Sequence, residues 1–330
     1  MKILFIFTGG TIGSTQKDNI IAADSRKPYK IIQAYAKKYG TPFDYDVVEP
    51  YTELSENNTG ETVRRLVNCV REHLHGGYDG IVVTHGTDTL QYSAAAIGYC
   101  VGLDTVPICM VASNAPIESP ISNALDNLHG AIRFIESKAG RGAFVVYRNA
   151  NSDTVRVHRA TRLIGAKAYS DDTSSVLGGV YGCFDKDLSF VKNPAYKESA
   201  DAMPPLDPSV LEETNGAALL LYSYPGMRYP QLDGDVKYVI LGSYHSGTVN
   251  TKSENAIAFF EQAKQKGIPV YVTGVLEGPQ YEGADRFAAL GIRPICNISP
   301  VSAYVKLWLL SGAGLSVDDH IDRSLSGDKV

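Results

Sequence analysis

The sequence predicts an α/β fold: a larger N-terminal, doubly wound, mostly parallel sheet domain plus a smaller C-terminal α/β domain. Three observations carry that prediction. Short apolar runs alternate with stretches of helical period through the first half, the pattern of a parallel sheet covered on both faces. The alternation breaks down after Asn149 and resumes near Ala217. A length of 330 residues exceeds the usual size of one domain. The expected division is residues 1–192, a linker over 193–215, and residues 216–330.

Each element has a local reason. Ile3 to Phe7 is wholly apolar and short, so it reads as a buried strand, and it ends at the turn Thr8-Gly9-Gly10-Thr11-Ile12-Gly13. Ser14 to Lys27 is polar and reads as a mobile loop. Pro28 suits the first turn of a helix whose apolar face is Ile31, Ile32, Tyr35 and Tyr39. Phe43 to Val48 is a second strand, and Thr59 to His75 a helix. Ile81-Val82-Val83 is a buried strand ending at Thr84-His85-Gly86-Thr87-Asp88-Thr89, followed by an Ala-rich helix from Leu90 to Leu103. A strand at Pro107 to Val111, a helix at Pro120 to Lys138 and a strand at Ala143 to Tyr147 complete the alternation. Asn149 to Phe190 reads as hairpins, and the four prolines between Asn193 and Asn215 mark the linker. Beyond it come strands at Ala217 to Tyr222 and Val236 to Leu241, and a helix at Glu254 to Lys266. A strand at Pro269 to Thr273 and a helix at Val301 to Gly312 follow. Asp318 to Val330 is polar and reads as loosely held.

Composition narrows the function classes. A net charge of −5 with no basic tract gives a nucleic-acid partner no electrostatic support. No apolar run approaches the roughly 20 residues of a membrane span, nor the about 7–15 apolar residues of a signal peptide. These readings predict a cytoplasmic chain. Cys69, Cys100, Cys109, Cys183 and Cys296 are odd in number and lack a Cys-x-x-Cys pair, so they read as buried free thiols.

Two loops carry the chemistry. Both lie at the carboxyl ends of expected parallel strands, where open α/β sheets bind ligands. One bears Thr8-Gly9-Gly10-Thr11, the other His85-Gly86-Thr87-Asp88-Thr89. Together they bring hydroxyls, a carboxylate and glycine-exposed N–H groups to one crevice. Those are the parts needed for attack on a carbonyl: a nucleophile and an oxyanion site. Gly10-Thr11-Ile12-Gly13 lacks the spacing of the dinucleotide fingerprint, and there is no Walker lysine motif. Among other polar residues, His73, His75, Glu277 and Glu282 read as solvated charges. Asp171-Asp172 reads as a turn pair, and His245 as a loop residue near a domain or subunit boundary.

The two loops, in this order and separation, resemble the two signatures of the bacterial-type L-asparaginase family. Ile240-Leu241-Gly242-Ser243-Tyr244-His245-Ser246-Gly247 resembles that family's second-half strand and loop, so the likeness spans nearly the whole chain. The resemblance implies an amidohydrolase that converts L-asparagine to L-aspartate and ammonia. Thr11 would be the nucleophile and Thr87 the second essential hydroxyl. Asp88 would hold the substrate ammonium, with Ser55 and Glu56 contacting its α-groups and the backbone at Gly10 and Gly86 lining the site. It implies no cofactor, no metal, and a homodimer or homotetramer acting on a small amino-acid amide. Two departures stand out. The family's loop Tyr is missing between Thr11 and Pro28, the first tyrosine being Tyr29. Its Thr-Lys pair matches Thr161-Arg162, placing Arg162 among the catalytic residues, with Lys167 as the alternative. An arginine there stabilises charge but does not act as a base. Glutamine hydrolysis, a non-catalytic amino-acid sensor and a nucleotide-binding oxidoreductase remain as rivals.

Overall fold

The computed structural model describes residues 1–10, 14–17, 20–23, 29–185, 189–198, 200–201, 203–213 and 217–330, with backbone alone at 14–17, 20–23, 29 and 212–213. In chain order the elements are β1 (Lys2–Phe7), β2 (Ser14–Lys17), β3 (Ile20–Ala23), α1 (Tyr29–Tyr39), β4 (Asp44–Val48), α2 (Gly60–His73), β5 (Gly80–Thr84) and α3 (Leu90–Val101). Then follow β6 (Ile108–Val111), α4 (Ala124–Ser137), β7 (Ala143–Arg148), β8 (Val155–Arg159), β9 (Gly182–Phe184), β10 (Phe190–Lys192) and α5 (Val210–Glu213). The remainder is β11 (Ala218–Tyr222), β12 (Tyr238–Gly242), α6 (Glu254–Gln265), β13 (Val270–Val275), β14 (Ile292–Cys296), α7 (Pro300–Gly312) and α8 (Val317–His320).

Eight strands form the larger sheet in the order β10-β9-β8-β7-β6-β5-β1-β4. The five from β4 to β7 are parallel, and β8, β9 and β10 add on as antiparallel neighbours. Four parallel strands, β11-β12-β13-β14, make the smaller sheet. The central strands have no exposed residue because both faces are covered. Ile3, Phe5, Val82 and Phe144 pack toward α1 and α4, while Leu4, Ile6, Ile81 and Val83 pack toward α2 and α3. The second of these layers continues through α7 to Ile240 and Tyr271 of the smaller sheet, so one apolar core joins the two sheets.

Three expectations change. Ser14 to Lys27 holds the antiparallel pair β2–β3 rather than only a loop; residues 18–19 and 24–28 lie outside the described set. β14 has no long apolar run, because Arg293 and Pro294 interrupt it, and it was not expected. The segment after Asp318 is not loose: Ile321 and Asp328 are both 0% exposed. Asp328 carries the reason. Its carboxylate accepts from Lys306 Nζ at 3.0 Å, Tyr99 Oη at 2.8 Å and the Leu325 amide at 3.0 Å, so polar sequence here is core structure.

Candidate active site

Strand order places the site. The chain leaves β1, crosses to β4 on one side, then returns to β5 on the other, so the carboxyl ends of β1 and β5 flank the point where the winding reverses. Three segments meet there. The turn after β1 lies along Glu53: Gly10 N donates to Glu53 O at 3.1 Å, and Glu53 N to Thr8 O at 3.0 Å. Thr8 Oγ1 donates to Thr84 O at 2.8 Å, tying the same turn to the end of β5. Gly10 has φ 74, and a Cβ on it would overlap the Gly86 amide, so glycine is required on both counts.

The 3-10 turn Ser55–Asn57 supplies the next wall. Ser55 is buried; its hydroxyl lies 3.3 Å from Asp88 Oδ2 and accepts from the Asp88 amide at 3.2 Å. That hydroxyl orients a carboxylate that is itself exposed to solvent. A Cβ on Gly86 would overlap Ser55 Oγ, so Gly86 makes the approach possible. Thr87, half-buried, sits between these two residues at the foot of α3, whose N-terminus turns its positive dipole end toward the crevice. Glu56, next to the buried Ser55, is exposed.

Behind this wall runs a network with one consistent proton assignment. Burial pushes the His85 imidazole below its ordinary pKa, against smaller opposing effects of the Gly86 carbonyl and Asp88, so the ring is neutral. Gly86 O only accepts, so His85 Nδ1 carries the proton and donates to it at 2.8 Å. Nε2 is then the acceptor for Asn58 Nδ2 at 3.3 Å. The other Asn58 amide proton goes to Thr89 Oγ1 at 3.0 Å, and Thr89 donates to Ser55 O at 2.9 Å. Asn58 and Thr89 were not assigned roles from sequence. Their signal was only that both lie within three residues of assigned ones. On their far side opens a cavity of about 670 Å³ lined by Tyr92, Leu220, Tyr222, Tyr304 and Trp308.

Of the expected site residues, Gly10, Ser55, Gly86, Thr87 and Asp88 therefore converge, and Glu56 borders them. Thr11 lies outside the described residues, as does the side chain of Tyr29. Arg162 does not converge. β8 runs antiparallel to β7 with Phe144 opposite Arg159, so the 3-10 turn Ala160–Arg162 emerges at the opposite end of the sheet from the crevice. There Arg162 is 1% exposed; it donates from Nε to Gly327 O at 2.6 Å and from Nη2 to Lys197 O at 2.8 Å. Its guanidinium lies 4.5 Å from the Tyr196 ring centre. A catalytic assignment for Arg162 is corrected on that ground.

Lys167 is placed differently. After Arg162 the chain climbs α3. Thr161 packs at Gly98, and Gly165 packs at Gln91, about 10 Å higher at the helical rise per residue. Gln91 Nε2 in turn donates to Asp88 O at 3.2 Å. The segment ends with Asp171 Oδ2 accepting from Asn114 at 3.2 Å and Asp172 Oδ1 from the Ala150 amide at 2.9 Å, just past the carboxyl ends of β6 and β7. Lys167 is thus exposed at the same end of the sheet as the crevice. Among the described residues no three His, Cys, Asp or Glu side chains cluster to hold a metal. No described helix is long and apolar enough to cross a membrane.

Comparison with known proteins identifies the family and the fold. Residues 2–177 match the family described as Asparaginase, N-terminal. A subunit of glutamyl-tRNA(Gln) amidotransferase from Methanosarcina mazei is 29% identical over 94% of this chain and 74% of its own length. An L-asparaginase from Thermococcus kodakarensis is 25% identical, covering 99% of each chain. The solved structure of a thermostable L-asparaginase from that organism superposes with a TM-score of 0.75, over 100% of this chain and 99% of its own, at 22% identity. A probable cytoplasmic L-asparaginase from Campylobacter jejuni gives a TM-score of 0.73 over 97% and 98% of the two chains at 21% identity.

Proposed function

The chain belongs to the asparaginase family, and from that premise we propose that it is an L-asparaginase, an amidohydrolase converting L-asparagine to L-aspartate and ammonia. The observation that carries this reading is the exposed Asp88 carboxylate oriented by the buried Ser55 hydroxyl beside the Gly10–Gly86 contact. A fixed carboxylate next to a hydroxyl and amide donors is what an α-amino-acid zwitterion needs. In this reading Thr11 Oγ attacks the side-chain amide carbon, the developing oxyanion is held by backbone N–H groups of the two loops, and nitrogen leaves as ammonia after accepting the hydroxyl proton. Water then cleaves the acyl-threonine ester. Thr87 lies next to the same carbon, Asp88 and Ser55 hold the α-groups, and Glu56 borders them. Lys167, not Arg162, takes the position of the activating lysine. The proposal includes a cytoplasmic homodimer or homotetramer that acts without a cofactor.

A second reading has a specific observation behind it. The likeness to an amidotransferase component, at 29% identity over 94% of the chain, favours an amide-nitrogen donor working on glutamine for a partner protein. Ammonia release from asparagine, glutamine and buffer alone, read beside Thr11→Ala and Lys167→Ala, separates the two. The expected result is release from asparagine, loss in Thr11→Ala with folding intact, and a fall of about a hundredfold in kcat for Lys167→Ala. Full activity in Thr11→Ala sinks the acyl-enzyme; release from glutamine alone favours the second reading.

A further inference from the structure

Arg162 lies far from the crevice, yet it stands at the foot of the segment that climbs α3 toward the crevice end of the sheet. Residues 163–172 form an arm tied at both ends. Ile164 N donates to Ser174 O at 2.8 Å near the foot. Beyond Lys167 the Asp171 and Asp172 carboxylates accept from Asn114 and the Ala150 amide, with Ser170 N donating to Lys167 O at 3.0 Å between them. The foot is fastened to the chain's far end. Thr161 Oγ1 donates to Ser326 O at 2.9 Å and Arg162 Nε to Gly327 O at 2.6 Å. Ser302 Oγ donates to Thr161 O at 2.5 Å.

The two accepting carbonyls belong to consecutive left-handed residues, Ser326 at φ 50 and Gly327 at φ 70. Glycine adopts that conformation freely, but serine does so at a cost, and such strain persists only where surrounding contacts impose it. Here they do. Asp328, 0% exposed, anchors the next residue through Tyr99 of α3 and Lys306 of α7. Residues 324–328 are therefore a strap, pinned into the core and turned so that two carbonyls face the foot of the arm.

We propose that Thr161 and Arg162 are positioning residues: gripped by the strap, they set the height of the 163–172 arm along α3 and so the place of Lys167 at the crevice. This rests on the role given to Lys167 above. The test uses the full chain with two variants. Thr161→Val removes one strap bond at nearly constant shape; Arg162→Met removes the guanidinium. The first readout is amide hydrogen exchange, which does not depend on turnover. Peptides covering 163–172 are expected to exchange about tenfold faster or more in either variant, with α4 peptides unchanged. The second is asparagine hydrolysis: kcat falls about tenfold, KM stays within about twofold, and Arg162→Lys recovers part of the loss. Unchanged exchange in the arm overturns the inference, and so does a variant that lowers Tm with kcat intact. Should Arg162→Met fail to fold, Thr161→Val decides. Faster arm exchange in the variants of a protein whose wild type releases no ammonia would count against the enzymatic reading, leaving the strap in place.

Discussion

His85 and His158 are sealed from solvent, and burial leaves both rings neutral. For His158, held between Ser175 Oγ at 2.8 Å and Thr173 Oγ1 at 3.4 Å, burial pushes the pKa down to about 3. The ordinary value of 6.5 returns on unfolding. Between about 3 and 6.5 the unfolded chain therefore binds a proton that the folded chain refuses, and stability rises with pH across that window. The expected loss on acidification is up to about 1.4 kcal/mol per pH unit for the His158 ring. Urea midpoints should fall between pH about 7 and about 5, and His158→Gln should flatten the fall; a midpoint constant over that range contradicts the assignment. At this scale the sequence was informative about residues whose chemistry is local. Gly10, Gly86 and Asp88 were legible because they stand in the two loops at expected strand ends, whereas Ser55 came only from the family resemblance. Arg162 was misread because a side chain's neighbours in sequence say nothing about which way its strand runs.

α3 is the element on which the site and its supports meet. Its first turn follows Thr87, Asp88 and Thr89, Gln91 meets the arm, Gly98 meets Thr161, and Tyr99 reaches Asp328. The alternation of apolar runs and helical periods made β1, β5, α3, β6 and β7 readable, since each buries a continuous face. β2, β3 and β14 were not readable. β2 is polar and β14 is interrupted by Arg293 and Pro294, so their strand character comes from pairing with a neighbour, while the apolar run of β3 is only four residues long. The tightest approach in this layer, Gly86 against Ser55, gives a prediction. Gly86→Ala forces the Ser55 hydroxyl away from Asp88, raising KM for asparagine and lowering stability by about 1–3 kcal/mol as overpacking does. A variant with wild-type KM and Tm would show that the Ser55–Asp88 pairing is not needed for binding.

At the scale of the whole molecule, the two sheets share one apolar core, and a buried ion pair fastens it. Lys306 Nζ has acceptors at Asp328, at Ile321 O 3.0 Å away, and at Arg323 O. Removing one partner of a fully buried pair strands the other charge, whereas removing both does not. Lys306→Met should therefore cost about 3–5 kcal/mol in urea unfolding, and Lys306→Met with Asp328→Leu should recover most of it. A single variant within about 1 kcal/mol of wild type would mean that water reaches Asp328. Nothing in the composition of this polar stretch announced such a role, because a buried charge is recognised only by its partners, which lie at positions 99 and 306.

The strap also has a consequence in time. Residues 324–328 leave the ribosome after every residue they fasten, at a synthesis rate of about 5–20 residues per second. Until then Thr161, Arg162, Tyr99 and Lys306 each lack the acceptor that this turn supplies. The larger sheet can collapse early around its own strands, but under the positioning proposed above the arm is seated only when this late turn threads home. Maturation of this protein is thus a closing event, and a chain cut short ahead of residue 324 would leave Lys306 buried without its carboxylate as well as the arm unset.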